Sequence, residues 1–141
     1  MNELCREVGR GDAGEIPAPM VGRFLQVSGR RVHLLVQGSG PPVLLLHGNG
    51  SVGEEVLAPF AAHRGVTWLA PDRPGYGFSE AAKGRPDPAE QAEWAVALID
   101  ALRLPAVHIM AHSIAAGLAM CVAGRFPDRS GHGRPGGTAP R

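Results

Sequence analysis

Apolar positions along the chain fall into short runs separated by glycine, proline and charge. Phe24 to Val27 is a strand candidate, Ser28-Gly29-Arg30 a turn, and Arg31 to Gln37 a second, mostly apolar run. Together they read as an antiparallel hairpin. Gly38-Ser39-Gly40-Pro41 breaks the pattern. Val43-Leu44-Leu45-Leu46 is then continuously apolar, as a strand buried on both faces of a parallel sheet must be, and Val66 to Ala70 repeats the signal. Between these two runs, Ser51 and Glu54 stand at the spacing of a capping box, so a helix is expected there, with Pro59 splitting it. Asp87-Pro88-Ala89-Glu90 opens the clearest helix, with a capping residue, proline at the first position and glutamate at the third. Its apolar stripe is Ala92, Ala95, Val96, Ile99 and Leu102, and Pro105 stands beyond its end. A last strand, Val107 to Met110, stops two residues before Ser113, and helical spacing resumes from Ile114 to about Phe126.

Strands alternating with helices imply an α/β domain of three layers, with a mostly parallel sheet and an N-terminal antiparallel hairpin. The domain is expected over residues 20–129. Residues 1–19 read as a mobile leader, and residues 130–141, without periodicity or a large apolar side chain, as a disordered tail. The 20 glycines and 13 prolines agree with so many turns. A formal charge of +1 gives no electrostatic reason to expect nucleic acid or an anionic membrane surface as partner. Glu3, Arg6, Asp12 and Glu15 interrupt the N-terminus where a secretory signal needs an apolar stretch, so a cytoplasmic location is the default expectation. Cys5 and Cys121 form no metal or redox motif, and Cys121 is expected to pack as a small apolar residue.

Two motifs compete for the chemistry. Gly48-Asn49-Gly50-Ser51-Val52-Gly53 matches the glycine pattern of a dinucleotide-binding turn, with Asp72 about 20 residues further on. Against it stand the preceding hairpin, His47 just before the first glycine, and the rigid loop Arg73-Pro74-Gly75-Tyr76-Gly77 where a crossover helix belongs. The second candidate joins three segments: His47-Gly48-Asn49-Gly50, Asp72 to Ser79, and Ala111-His112-Ser113-Ile114-Ala115. A serine between a strand and a helix is how a sharp turn holds a hydroxyl out into a site. By itself Ser113 would be an ordinary helix cap.

In order and placement the three segments resemble the α/β-hydrolase superfamily, in its esterase, haloperoxidase and C–C hydrolase-like branch, over about residues 23 to 129. The resemblance implies Ser113 as nucleophile, the backbone amides of Asn49 and Ile114 as oxyanion-hole donors, and His47, Gly48 and His112 as residues that shape the site. It implies a small-molecule acyl substrate and neither a metal nor an organic cofactor. Ala111 and Ala115 stand where the family most often has glycine. His33 and His108 are expected to pack or to sit at strand edges, His63 to close a helix, Asp72 to fix its own loop, and Trp94 to lie in the core or at its rim.

A serine hydroxyl needs a base, and the base an orienting acid, which the family places after the nucleophile. Here Asp128 and His132 follow Ser113. The intervening helix should carry Asp128 about 20 Å away, and His132 falls in the glycine-rich tail. The abrupt change of pattern at Ser130 suggests a truncated or frameshifted product. The alternative expectation is therefore a non-catalytic fragment that pairs, with itself or another chain, through an uncovered Val107–Met110 edge.

Overall fold

The computed structural model describes residues 22–131. Strands β1 (Gly22–Val27) and β2 (Arg30–Gly38) form the expected hairpin. Ser28 and Gly29 at its turn both have positive φ, 50° and 75°, the type I′ geometry that matches strand twist. There follow β3 (Pro42–Leu46), α1 (Gly53–Leu57) running into a 3-10 turn (Ala58–Phe60), and β4 (Thr67–Pro71). The chain continues through α2 (Pro88–Ala101), β5 (His108–Ala111) and α3 (Ala115–Arg125). The sheet order is β1-β2-β4-β3-β5. β4, β3 and β5 run parallel, whereas β1–β2 and β2–β4 pair antiparallel, so the five-stranded sheet is mixed.

Helices cover both faces, which makes three layers. Leu44 and Leu46 of β3 join Leu34 and Leu69 against α2 and α3, where Ala92, Ala95, Leu98, Ile99, Leu118 and Val122 are buried. Val43 and Leu45 point the other way, into a smaller cluster with Leu35, Trp68, Ala70 and Leu57 of α1. Alternate residues of a strand face opposite sides, so the unbroken apolar run of β3 is accounted for by a core on each side. Leu98 adds to the α2 stripe a residue the periodicity passed over. Trp94 and Cys121 are partly buried against the larger cluster.

The capping box of α2 forms as expected. Glu90 N–H donates to Asp87 Oδ1 at 2.9 Å and Asp87 N–H to Glu90 Oε2 at 2.8 Å. The box expected at Ser51 and Glu54 does not form. Ser51 Oγ donates instead to Glu55 Oε2 at 2.7 Å, and extended Val52 is the N-cap. The first amide of α1, Gly53 N–H, is held by a distant carboxylate, Asp72 Oδ1, at 2.8 Å. A remote buried acid has taken over what a local serine was expected to do. Pro59 stands in the 3-10 turn, where the α-helix has already ended.

β5 is an edge strand, but its outer side is not bare along the whole expected run. Val107 bridges Ser130 in parallel, with Val107 N–H donating to the Arg129 carbonyl at 3.0 Å and Gly131 N–H to the Val107 carbonyl at 2.6 Å. Ser130 is buried, so a single β-bridge reaches one residue past the expected domain boundary. The leader 1–19 with Cys5, and residues 132–141 with His132, lie outside the described residues. Among the described residues no helix is long and apolar enough to cross a membrane. Leu44, on β3 with a strand on each side, is fully buried, and Leu44→Ala is expected to lower stability by about 2–5 kcal/mol, measured by urea denaturation.

Candidate active site

Two turns meet at the C-terminal end of the parallel strands. One follows β3 and carries His47, Gly48 and Asn49. The other joins β5 to α3 and carries His112, Ser113 and Ile114. Their approach is limited by glycine: a Cβ on Gly48 would come within 3.1 Å of Ser113 Cβ and His112 Nδ1, and 3.3 Å of the His112 carbonyl. Ser113 has φ 57°, a left-handed conformation unusual for a residue with a side chain. Ser113 and Ile114 are exposed, and among the described residues Ser113 Oγ has no hydrogen-bond partner. Ala115 is fully buried beneath the turn and Ala111 partly so, so both sites accept the methyl group.

The amides of Asn49 and Ile114 donate to no protein acceptor among the described residues. In the turn at Ser113, the amides of Ala115, Ala116 and Gly117 return to the carbonyls of His112, Ser113 and Ile114. Ile114 N–H is left over.

His47 is fully buried. Its Nε2 accepts the Arg73 N–H at 2.9 Å, and its Nδ1 lies 2.8 Å from the Gly48 carbonyl. A backbone N–H can only donate and a carbonyl only accept, so the ring is the neutral tautomer with its proton on Nδ1. Burial, the largest influence, holds its pKa below the usual 6.5, and the neighbouring Arg73 adds to this against the Gly48 carbonyl. With both nitrogens committed, the ring has no free lone pair with which to act as a base. Arg73 donates from Nη1 to Gln91 Oε1 at 3.0 Å and from Nη2 to the Gly48 carbonyl at 3.1 Å. Tyr76 lies edge-on to His47 and beneath the Arg73 guanidinium, and its hydroxyl donates to Asn49 Oδ1.

Asp72, expected to fix its own loop, reaches further. Oδ2 accepts from Phe78 N–H at 3.0 Å within the loop, while Oδ1 holds Gly53 N–H. His33 Nδ1, 2.9 Å from Oδ2, is an addition that spacing did not reveal. Its ring sits between Phe24 and Phe78 rather than at a plain strand edge. The Asp72 carboxylate is buried and already bonded to three groups, and α1 is only five residues long. Both observations count against the dinucleotide reading.

His108 is exposed on β5, His63 follows the 3-10 turn and its carbonyl accepts from Trp68 Nε1, and Asp128 is exposed beyond the far end of α3 from Ser113. Among the described residues no group of three or more His, Cys, Asp and Glu side chains gathers to hold a metal. A largely apolar groove of about 450 Å³ opens beside His112, lined by Leu45, Val56, Phe60, Met110 and Ala111.

A family model described as alpha/beta hydrolase fold matches residues 41–130. Over 116 residues the chain is 35% identical to a 2-hydroxymuconate semialdehyde hydrolase of Pseudomonas putida, covering 79% of this chain and 41% of that protein. An alpha/beta hydrolase fold protein from Nakamurella multipartita superposes with a TM-score of 0.71 at 32% identity, over 78% of this chain and 38% of that one. An epoxide hydrolase from Vigna radiata gives 0.69 at 30% identity, over 78% and 37%. The chain thus spans about two fifths of the length of these relatives.

Ser113→Gly should relieve the left-handed strain and raise stability by about 1 kcal/mol, read as a higher thermal midpoint. His47 sets a pH dependence of definite sign. Its contribution is fully present above about pH 6.5. As pH falls below that value the unfolded chain binds a proton that folded His47 refuses, so stability declines until the lower folded pKa is passed. His47→Gln, whose Oε1 can still accept from Arg73 N–H, is expected to flatten that decline in denaturation curves between pH 8 and pH 5.

Proposed function

The chain belongs to the alpha/beta hydrolase fold family, and on that premise we propose that it carries the nucleophilic half of a serine hydrolase acting on an ester or related acyl bond. One observation carries the reading. Ser113, left-handed and exposed, stands on a turn that meets the Gly48 turn, and among the described residues the amides of Asn49 and Ile114, one on each turn, have no protein acceptor.

Ser113 Oγ attacks the substrate carbonyl carbon, and the carbonyl electron pair moves onto oxygen. The amides of Asn49 and Ile114 receive that developing charge without having to reorient, which is where such sites gain most of their rate. Collapse of the tetrahedral species expels the leaving group and leaves an acyl-serine, which water then hydrolyses. His47 and Gly48 hold the first turn in place, and His112 flanks the nucleophile. The proton leaving Oγ needs a base. His47 is committed to two hydrogen bonds, and none of the described histidines bonds to Ser113 Oγ. The reading therefore assigns the nucleophile and both donors to described residues, and the acid–base pair to residues outside them or to a second polypeptide. Relatives such as the 2-hydroxymuconate semialdehyde hydrolase make a small organic carbonyl compound the natural substrate class.

The reading predicts that a fluorophosphonate probe labels the full chain at Ser113 and that Ser113→Ala abolishes the labelling. Equal labelling of the two proteins would remove Ser113 from the account. No labelling of either would show that the serine is not activated in this chain.

A further inference from the structure

Arg73 is a cation buried to 6% exposure with no carboxylate bonded to it among the described residues. Its guanidinium lies over the Tyr76 ring, its two side-chain hydrogen bonds go to neutral oxygens, Gln91 Oε1 and the Gly48 carbonyl, and Nε has no hydrogen-bond partner among the described residues. A buried charge left in this state is costly, and an unbranched apolar side chain could fill the same space without that cost. What distinguishes the position is the oxygen that Nη2 reaches. The Gly48 carbonyl already accepts from His47 Nδ1, so two donors from different segments converge on one peptide oxygen.

The peptide unit transmits this across the bond. No peptide bond among the described residues is cis, and in a planar trans peptide the N–H points opposite to the C=O. The N–H of the Gly48–Asn49 peptide belongs to Asn49. Fixing the Gly48 oxygen toward the buried Arg73 and His47 thereby fixes Asn49 N–H away from them, out of the protein core. A cation on the carbonyl also draws charge from the amide, which makes its N–H a stronger donor. The arrangement closes on itself, because the Arg73 backbone N–H holds His47 Nε2 while the Arg73 side chain returns to the carbonyl that His47 holds.

We propose that Arg73 is a positioning residue, clamping and polarising the Gly48–Asn49 peptide so that the Asn49 amide is presented to the Ser113 hydroxyl site. The proposal rests on the reading of Asn49 as an oxyanion donor, and its test separates the two. The full chain, labelled with 13C and 15N, is compared with Arg73→Met, Arg73→Gln and Arg73→Lys. The readouts are the Gly48 carbonyl carbon and Asn49 amide resonances, and the fluorophosphonate labelling rate. Arg73→Met should move both resonances and slow labelling by roughly ten- to a hundredfold. Arg73→Lys, which keeps a cationic donor, should recover most of both. Arg73→Gln gives the same comparison if the methionine variant fails to fold, being polar but uncharged. Resonances that stay in place, labelling at the wild-type rate, or a lysine variant no better than glutamine would each overturn the proposal. Resonances that respond in a protein the probe never labels would uphold the clamp while showing that Ser113 is not activated in this chain.

Discussion

The buried Asp72 carboxylate is the constraint on which the remaining geometry depends. A charge in the interior must have its lone pairs satisfied or it unravels its surroundings. Here the satisfying groups come from three places: His33 on β2, Gly53 at the start of α1, and Phe78 in the following loop. The hairpin, the first helix and the loop after β4 are thereby held to one point at the end of the sheet. Arg73, next in the chain, is then carried to the turn after β3, where its backbone and side chain engage His47 and Gly48. The order of dependence runs from Asp72 to Arg73, to the Gly48–Asn49 peptide, and then to the space above Ser113.

Local cost is concentrated at this end of the molecule. Ser113 is left-handed, and among the described residues Arg73 is buried without a bonded carboxylate and the amides of Asn49 and Ile114 have no protein acceptor. The central sheet shows the opposite character, with β3 buried along nearly its whole length and apolar packing on each side. A site that stores strain requires a scaffold able to over-determine it. The larger apolar cluster, against α2 and α3, provides that support beneath the β5–α3 turn.

Elements whose cause is local were legible in the sequence. The α2 cap lies within four residues, the hairpin turn within two, and the burial of β3 on both faces follows from its unbroken run of apolar residues. The three segments that form the site were also legible, because each carries its own turn chemistry. What could not be read was which side chain satisfies which distant group. Ser51 and Glu54 had the right spacing for a cap, yet a carboxylate 19 residues away holds the first amide of α1. His33 gave no signal because its partner is 39 positions on. Arg73 looked like a loop residue, since nothing in its neighbourhood announces a bond to a carbonyl 25 residues earlier. The Ser130 bridge was hidden in the same way, by glycine-rich sequence of low intrinsic strand preference.

The strand order carries a consequence for the making of the chain. β3 stands between β4 and β5, so a strand buried along nearly its whole length meets its first neighbour only after residue 67 and its second only after residue 108. One edge of Val43 to Leu46 therefore has no partner until β5 has been made, and contacts so distant in sequence form slowly. During that interval the four-residue apolar run is the natural target for chaperones, and for misassembly between nascent chains. The order that gives β3 its burial thus also makes it the most vulnerable segment before folding is complete.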